Sequence, residues 1–302
     1  MANSTTSKVE APTSTRVALV LTLGVLGVST GAILVRTADC SPLAKAAYRC
    51  ALAAIALGLA GGWRPAPPTP GEQRDPGYRR ALALAILAGA FLAFHFGTWI
   101  ASLDHTSVAT SSVLVATTPV WVAIAAPFLT SDRPSLRALC GVGLSLLGAI
   151  WIALDGGGVG SELLGAGLAV AGAVGAAGYV LIGRRVGHRI PMGHYLFLCY
   201  GSAAVLLVCA TLLNGDELIG FDRRTWMALV GLAVFPQLIG HSACNWSLRW
   251  MPALLVSVVF LAEPILASIF AWGFLGEAPG RVVLYAAPLV FLGILLAADR
   301  KQ

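Results

Sequence analysis

Two stretches of this chain read alike: SLDHTSVATSSVLVATTP (residues 102–119) and SLRWMPALLVSVVFLAEP (residues 247–264). Laid on each other without a gap, at an offset of 145, they pair Ser102 with Ser247, Leu103 with Leu248, Ser112-Val113 with Ser257-Val258 and Pro119 with Pro264. The register continues outward. Pro134 meets Pro279, and Leu147-Gly148 meets Leu292-Gly293. A second match, at an offset of 148, sets Gly24, Gly27 and Arg36 on Gly172, Gly175 and Arg184. The chain therefore reads as two copies of one unit. Each copy carries a proline, preceded by a polar side chain, in the middle of an apolar run.

Composition places that unit in a bilayer. Hydrophobic residues make up 57% of the 302 residues and charged residues 11%, where soluble proteins carry roughly 25% charge. Mean hydropathy is +0.81. These values exclude disorder, a nucleic-acid module and an ordinary soluble enzyme. The six cysteines are scattered without a CxxC pair, and five fall in apolar runs, which argues against a disulfide framework or a zinc site. A membrane helix needs about 20 apolar residues. Ten such runs occur, at about 17–35, 43–62, 81–103, 106–129, 137–154, 164–183, 194–213, 226–248, 253–275 and 281–298. They are continuous rather than alternating, so they read as helices and not barrel strands. The first run exceeds the roughly 7–15 residues of a signal-peptide core and is expected to be retained.

The expected architecture is all-α and integral to the membrane, with ten transmembrane helices as two inverted five-helix repeats. Its divisions are a polar N-terminus (1–16, its first 15 residues expected to be mobile), a first repeat (17–155), a second (156–299) and a short C-terminus (300–302). Five helices per unit is odd, so the second copy must sit upside down relative to the first. Inverted repeats of this kind characterise transporters that rock about a central site. Of 20 basic residues, 14 fall on the face that carries both termini, which the positive-inside rule places in the cytoplasm. The net charge of +6 then reflects topology and needs no anionic partner.

Ionisable groups in mid-membrane cost roughly 2.5–3.5 kcal/mol on insertion scales, so each calls for an explanation. Glu263 is the clearest. Pro264 follows it and cannot donate to the carbonyl of Phe260, which opens the helix beside a carboxylate. Such a carboxylate could receive a cation, an ammonium group or a proton, or could be buried and merely hold the kink. Its repeat counterpart is Thr117-Thr118-Pro119, whose hydroxyls commonly bond their own helix carbonyls. Gln237, His241 and Asn245 recur at i, i+4, i+8 beside Pro236, on one helical face. His95 and Trp99 form a second pair at i, i+4, an imidazole beside an aromatic surface suited to an organic solute. Tyr179 follows a glycine-rich packing face (Gly165, Gly167, Gly172, Gly175, Gly178) and could add a hydroxyl. Lys45 and Arg49, near the start of the second span, are expected to snorkel to the interface. The sharper alternative is that they attract anions at the outer mouth. No P-loop, HExxH, GxSxG or aspartate-rich cluster occurs, and no cofactor or metal is expected.

Four of these stretches resemble the EamA-like branch of the drug/metabolite transporter superfamily: Ala46-Ala47-Tyr48-Arg49-Cys50-Ala51-Leu52-Ala53; Ser107-Val108-Ala109 with Thr117-Thr118-Pro119; Ala177-Gly178-Tyr179 with Arg184-Arg185; and Leu261-Ala262-Glu263-Pro264 with Gly276-Glu277. The first helix departs from the pattern: Gly27-Val28-Ser29-Thr30-Gly31 lacks the tryptophan that members often carry. The resemblance implies a central cavity built from the third, fourth, eighth and ninth helices with the first and sixth. It also implies export of small metabolites, often amino acids, or of drugs, commonly driven by a gradient. The expected substrate-binding set is Glu263, Gln237, His241, Asn245, Trp99, His95, Thr118 and Tyr179. Glu263 and His241 are expected to couple protons, and Pro119, Pro236 and Pro264 to kink their helices. The expected partners are a small-molecule substrate and the inner-membrane lipid, without nucleic acid; a homodimer stays open. A passive channel or facilitator, and a membrane-embedded enzyme or scaffold, are the competing readings.

Overall fold

Side-chain caps at Thr13, Ser41, Ser107 and Asp222 set the starts of four helices. A computed structural model describes residues 12–64, 76–129, 135–154 and 161–297. Most of the N-terminal segment, most of the Pro- and Gly-rich connection between 63 and 80, Pro134 of the repeat and the C-terminal 300–302 lie outside the described residues. The first span is two helices, α1 (Ser14–Ser29) and α2 (Gly31–Thr37). The second is α3 (Pro42–Leu59), where Ser41 accepts the Ala44 N–H and Pro42 opens the first turn. The third is α4 (Pro76–Ser102). The fourth is again double, α5 (Val108–Val115) and α6 (Thr118–Leu129), and begins at the Ser107 cap. Then follow α7 (Leu136–Leu154), α8 (Ser161–Val186) and α9 (Met192–Leu213). Next comes α10 (Arg223–Leu232), which runs through a π-helical segment (Ala233–His241) into α11 (Ser242–Leu248). The chain ends with α12 (Ala253–Val259), α13 (Ala262–Leu275) and α14 (Arg281–Ala297). Asp222 caps α10 by accepting the Thr225 N–H at 2.8 Å. Bonding to Thr225 holds its carboxyl below the usual carboxylate range.

Among the described residues there is no strand, and seven stretches are long and apolar enough to cross a membrane: Ser14–Thr37, Pro42–Leu59, Pro76–Ser102, Val108–Phe128, Ser161–Val186, Met192–Leu213 and Arg223–Leu248. The expected fifth, ninth and tenth spans correspond to shorter apolar helices, at Leu139–Gly148, Ala262–Leu275 and Arg281–Gly293. The ninth is short because the chain breaks at Phe260-Leu261, just ahead of Pro264. Large apolar side chains cover the outside, among them Leu19, Ile55, Phe94, Phe128, Val205, Leu213, Ile269 and Phe274. Such a surface suits lipid and would be an aggregation hazard in water.

Repeat-related residues make repeat-related contacts. Gly172 and Gly175 of α8 let α4 approach so closely that an added Cβ would lie 3.4 Å from the His95 carbonyl oxygen and 3.0 Å from the His95 nitrogen, respectively. Their counterparts Gly24 and Gly27 in α1 face Gly240, the counterpart of His95, at 3.6 and 3.1 Å. The same exchange relates α7 and α14. Ser145 Oγ donates to the Val290 carbonyl at 2.8 Å, and these two residues are themselves counterparts. Gly148 faces Val290, while its counterpart Gly293 faces Ser145. Small residues allow these backbone-level crossings where no hydrophobic effect drives helices together.

A Cβ at Gly293 would lie 2.5 Å from both the Gly141 carbonyl oxygen and the Ser145 nitrogen, neither of which can move alone. Gly293→Ala should therefore destabilise the α7–α14 pair by about 1–3 kcal/mol, the usual scale of overpacking. The readout is a lowered melting temperature in detergent. Gly143→Ala, with open space around it, should leave that temperature unchanged. Equal melting of both variants would contradict the close crossing.

Candidate functional site

The two mid-helix prolines create the same local problem and solve it differently. Pro119 cannot donate to the Val115 carbonyl, and the Thr118 hydroxyl donates to it instead, at 2.8 Å. Thr117 likewise bonds the Leu114 carbonyl at 2.7 Å and accepts the Trp121 indole N–H. In the second copy Pro264 cannot donate to the Phe260 carbonyl. There the backbone N–H of Glu263 reaches it at 3.0 Å, tightening the turn. Glu263 stands at the Thr118 position. An ionised carboxylate has no proton to donate, so the backbone closes the gap and the side chain is left free for the space beside the break.

That space is a cavity of about 90 Å³, lined by both breaks and by α1, α3, α4, α8 and α11 with the end of the π segment. Glu263, His241, His95, Trp99, Thr118 and Tyr179, all anticipated from sequence, line it together. Pro119 lies in the wall as well. His95 Nδ1 lies 2.8 Å from the Gly172 carbonyl, and its ring stacks nearly parallel to Trp99 with centroids 6.1 Å apart. His241 stands 6.2 Å from His95 and 5.9 Å from Tyr179, ring to ring. Its Nδ1 has no hydrogen-bond partner.

Gln237 and Asn245 stand behind this wall. The expected i, i+4, i+8 stripe does not form a single face, because residues 233–241 are π-helical and the register slips, with the Ser242 N–H bonding back to the Gln237 carbonyl. Pro236, within this segment, lacks an amide to hold the tighter α-helical pattern. Gln237 turns to α3. Asn245 donates to the Tyr179 hydroxyl and, at 2.8 Å, to the His241 carbonyl.

Arg49 corrects the expectation most sharply. It was expected to snorkel, yet it is 1% exposed and lines the cavity. Its Nε donates to Gln237 Oε1 at 2.7 Å, and its guanidinium sits 3.8 Å from the centre of the Phe96 ring and 5.7 Å from that of Trp99. The reason is direction as well as depth: α3 starts at Pro42, so Arg49 lies two turns in, and its tip packs inward against α4. Lys45, a turn nearer the helix start, is also buried.

A seam joins the two copies at the ends of α2 and α13. Arg36, at the end of α2, donates to the Thr106 carbonyl at 3.0 Å and pairs with Glu277 at 3.7 Å. Glu277, just past α13, also accepts the Val108 N–H at the start of α5. Sequence spacing carries no sign of this pairing.

The model of the EamA-like transporter family matches this chain twice, over residues 15–154 and 163–298. The chain belongs to the EamA-like transporter family. With the family, and with the seven long apolar stretches among the described residues, the multi-pass membrane character follows. An uncharacterized transporter of Clostridium kluyveri is 23% identical over 204 residues, covering 65% of each protein. The uncharacterized transporter YxxF of Bacillus subtilis is 22% identical over 227 residues, covering 74% of this chain and 72% of the relative. The uncharacterized transporter sll1319 of Synechocystis is 25% identical over 186 residues, 60% of this chain and 55% of the relative. The chain thus spans between about half and three quarters of these relatives. A solved crystal structure shares the fold, with a TM-score of 0.64 at 21% identity over 94% of this chain and 97% of its own.

The brace from Gln237 to Arg49 has a measurable consequence. Gln237→Leu removes the acceptor while the guanidinium stays buried, which should cost about 1–3 kcal/mol. The melting temperature of the purified protein should fall and the cavity wall loosen. A variant that melts like the parent would contradict the brace.

Proposed function

We propose that this EamA-like protein is a secondary active transporter that exports small metabolites, amino acids or related compounds, or drugs by alternating access. The observation that supports this reading most directly is the central cavity at the paired helix breaks, with a carboxylate on one break and a hydroxyl on the other. Broken helices at the junction of two repeats are where secondary transporters hold their cargo. The substrate contacts in this reading are Glu263, His241, His95, Trp99, Thr118 and Tyr179, with Gln237 and Asn245 as supports one layer out. Glu263 or His241 exchanges a proton with substrate.

Two further elements belong to the proposal. The copies are inverted relative to each other across ten membrane passages, and both termini face the cytoplasm of the cell membrane, in line with the distribution of basic residues. The Arg36–Glu277 seam then lies on the outer face and is one of two gates. The cavity is small beside the roughly 300–1,000 Å³ of drug-sized pockets. In this reading the structure is a contracted state that widens when a gate opens.

The test uses purified protein in liposomes. A thermal-shift screen of amino acids, nucleosides, sugars and cationic drugs selects a solute, and its flux is then driven by a pH gradient. Glu263→Gln should abolish gradient-driven accumulation while leaving counterflow of labelled solute intact. Full accumulation in the variant would remove Glu263 from coupling, and absence of counterflow in the parent would remove transport itself.

A further inference from the structure

A guanidinium carries five N–H donors and a permanent charge. In the cavity wall Arg49 uses Nε on Gln237, while its Nη1 has no hydrogen-bond partner. Gln237 accepts that bond as a neutral amide and brings no counter-charge; the Glu263 carboxylate acts on the guanidinium only through space. The Phe96 face helps by roughly 0.5–2 kcal/mol, against an effective penalty of several kcal/mol for burying an ion. Glu263 lines the same cavity, yet among the described residues no ion pair within 4 Å joins it to Arg49. The polar atoms left unmet on the Arg49 side are donors, Nη1 of Arg49 and, one layer behind it, Nε2 of Gln237; elsewhere at the site His241 Nδ1, in the wall, takes either role with its tautomer, and Asn245 Oδ1, behind it, is an acceptor. A donor-only edge fits a ligand that only accepts, and a carboxylate is the group whose planar pair of oxygens matches a guanidinium edge.

From this geometry we infer that Arg49 is the anion-recognition residue of the cavity and that the solute carries a carboxylate, held at Nη1 over the Phe96–Trp99 aromatic surface. Gln237 is a positioning residue: it fixes the guanidinium from behind and leaves the outer edge free. Gly31, at the break between α1 and α2, packs beside that edge: an added Cβ would lie at ordinary contact distance, 3.9 Å, from Nη1 and tightly, at 3.2 Å, against the Trp99 ring. This inference deepens the solute-binding reading of the same cavity and rests on it.

The experiment is a thermal-shift titration of the full chain in detergent with matched pairs: acetate and acetamide, propionate and propionamide, phenylacetate and phenylacetamide. Sodium chloride serves as the ionic control. At least one carboxylate should stabilise the protein where its amide and chloride do not. Arg49→Gln should weaken that carboxylate by roughly tenfold or more, the scale of one charge-assisted hydrogen bond. Arg49→Lys, which keeps the charge but loses the fork, should bind it at intermediate strength, and it carries the test if Arg49→Gln does not fold. Equal response to acid and amide across all pairs, stabilisation by chloride alone, or undiminished carboxylate binding by both variants would each overturn the inference. Liposome counterflow separates the two readings. Carboxylate binding without counterflow keeps the anion site and discards transport. Saturable counterflow of a solute without a carboxylate, unchanged in the Arg49 variants, keeps transport and discards the anion site.

Discussion

A buried guanidinium organises the centre of this protein. Arg49 cannot shed its proton, and taking it out of water is costly. The fold compensates with the Gln237 amide on one edge and the Phe96 ring beneath. Both are held in place by further constraints. Gln237 can face α3 because the chain around it is π-helical, and the π register follows a proline that withholds its amide. Phe96 and Trp99 sit on α4, which is drawn against α8 by glycines at backbone distance. The cavity is what remains when these elements close around a charge they do not fully satisfy.

Duplication explains why the cavity is polar on one side and different on the other. The copies share a proline, a break and a freed carbonyl, at Val115 and Phe260. They differ in the residue that precedes the proline. A threonine can satisfy the freed carbonyl with its own hydroxyl, and it does. A glutamate must leave that task to its backbone, and its carboxylate is left for the cavity. One substitution between repeats thus turns a structural hydroxyl into a free acidic group, while the crossings of α4 on α8 and of α7 on α14 keep their repeat counterparts.

Much of this was legible in the sequence, and the exceptions have a common cause. Glu263, Thr118, His241, His95, Trp99 and Tyr179 could be brought together on paper because depth along a membrane helix is a one-dimensional quantity, and the repeat register supplies it. Arg49 was misplaced because snorkelling depends on direction as well as depth, and direction is set by packing against α4. Gln237 and Asn245 fell out of line because a π segment changes the residues per turn, and one proline in sequence does not distinguish a kink from a widened turn. The Arg36–Glu277 pair was invisible because it joins distant connections, where no periodicity applies.

In the proposed transport cycle the cavity is reached from one face at a time, with the Arg36–Glu277 seam as one gate. Native Cys244 lines the cavity, whereas Cys50 and Cys199 are buried and line no part of it. The most direct test is labelling of Cys244 by a membrane-impermeant thiol reagent, mapped by mass spectrometry, in vesicles of either orientation. The comparison is between the parent chain and an Arg36→Cys, Glu277→Cys variant locked beforehand with a short bifunctional thiol reagent. Alternating access requires reaction from both faces in the parent, and from only the face opposite the seam in the locked protein. Continued labelling from the seam face after locking would contradict it.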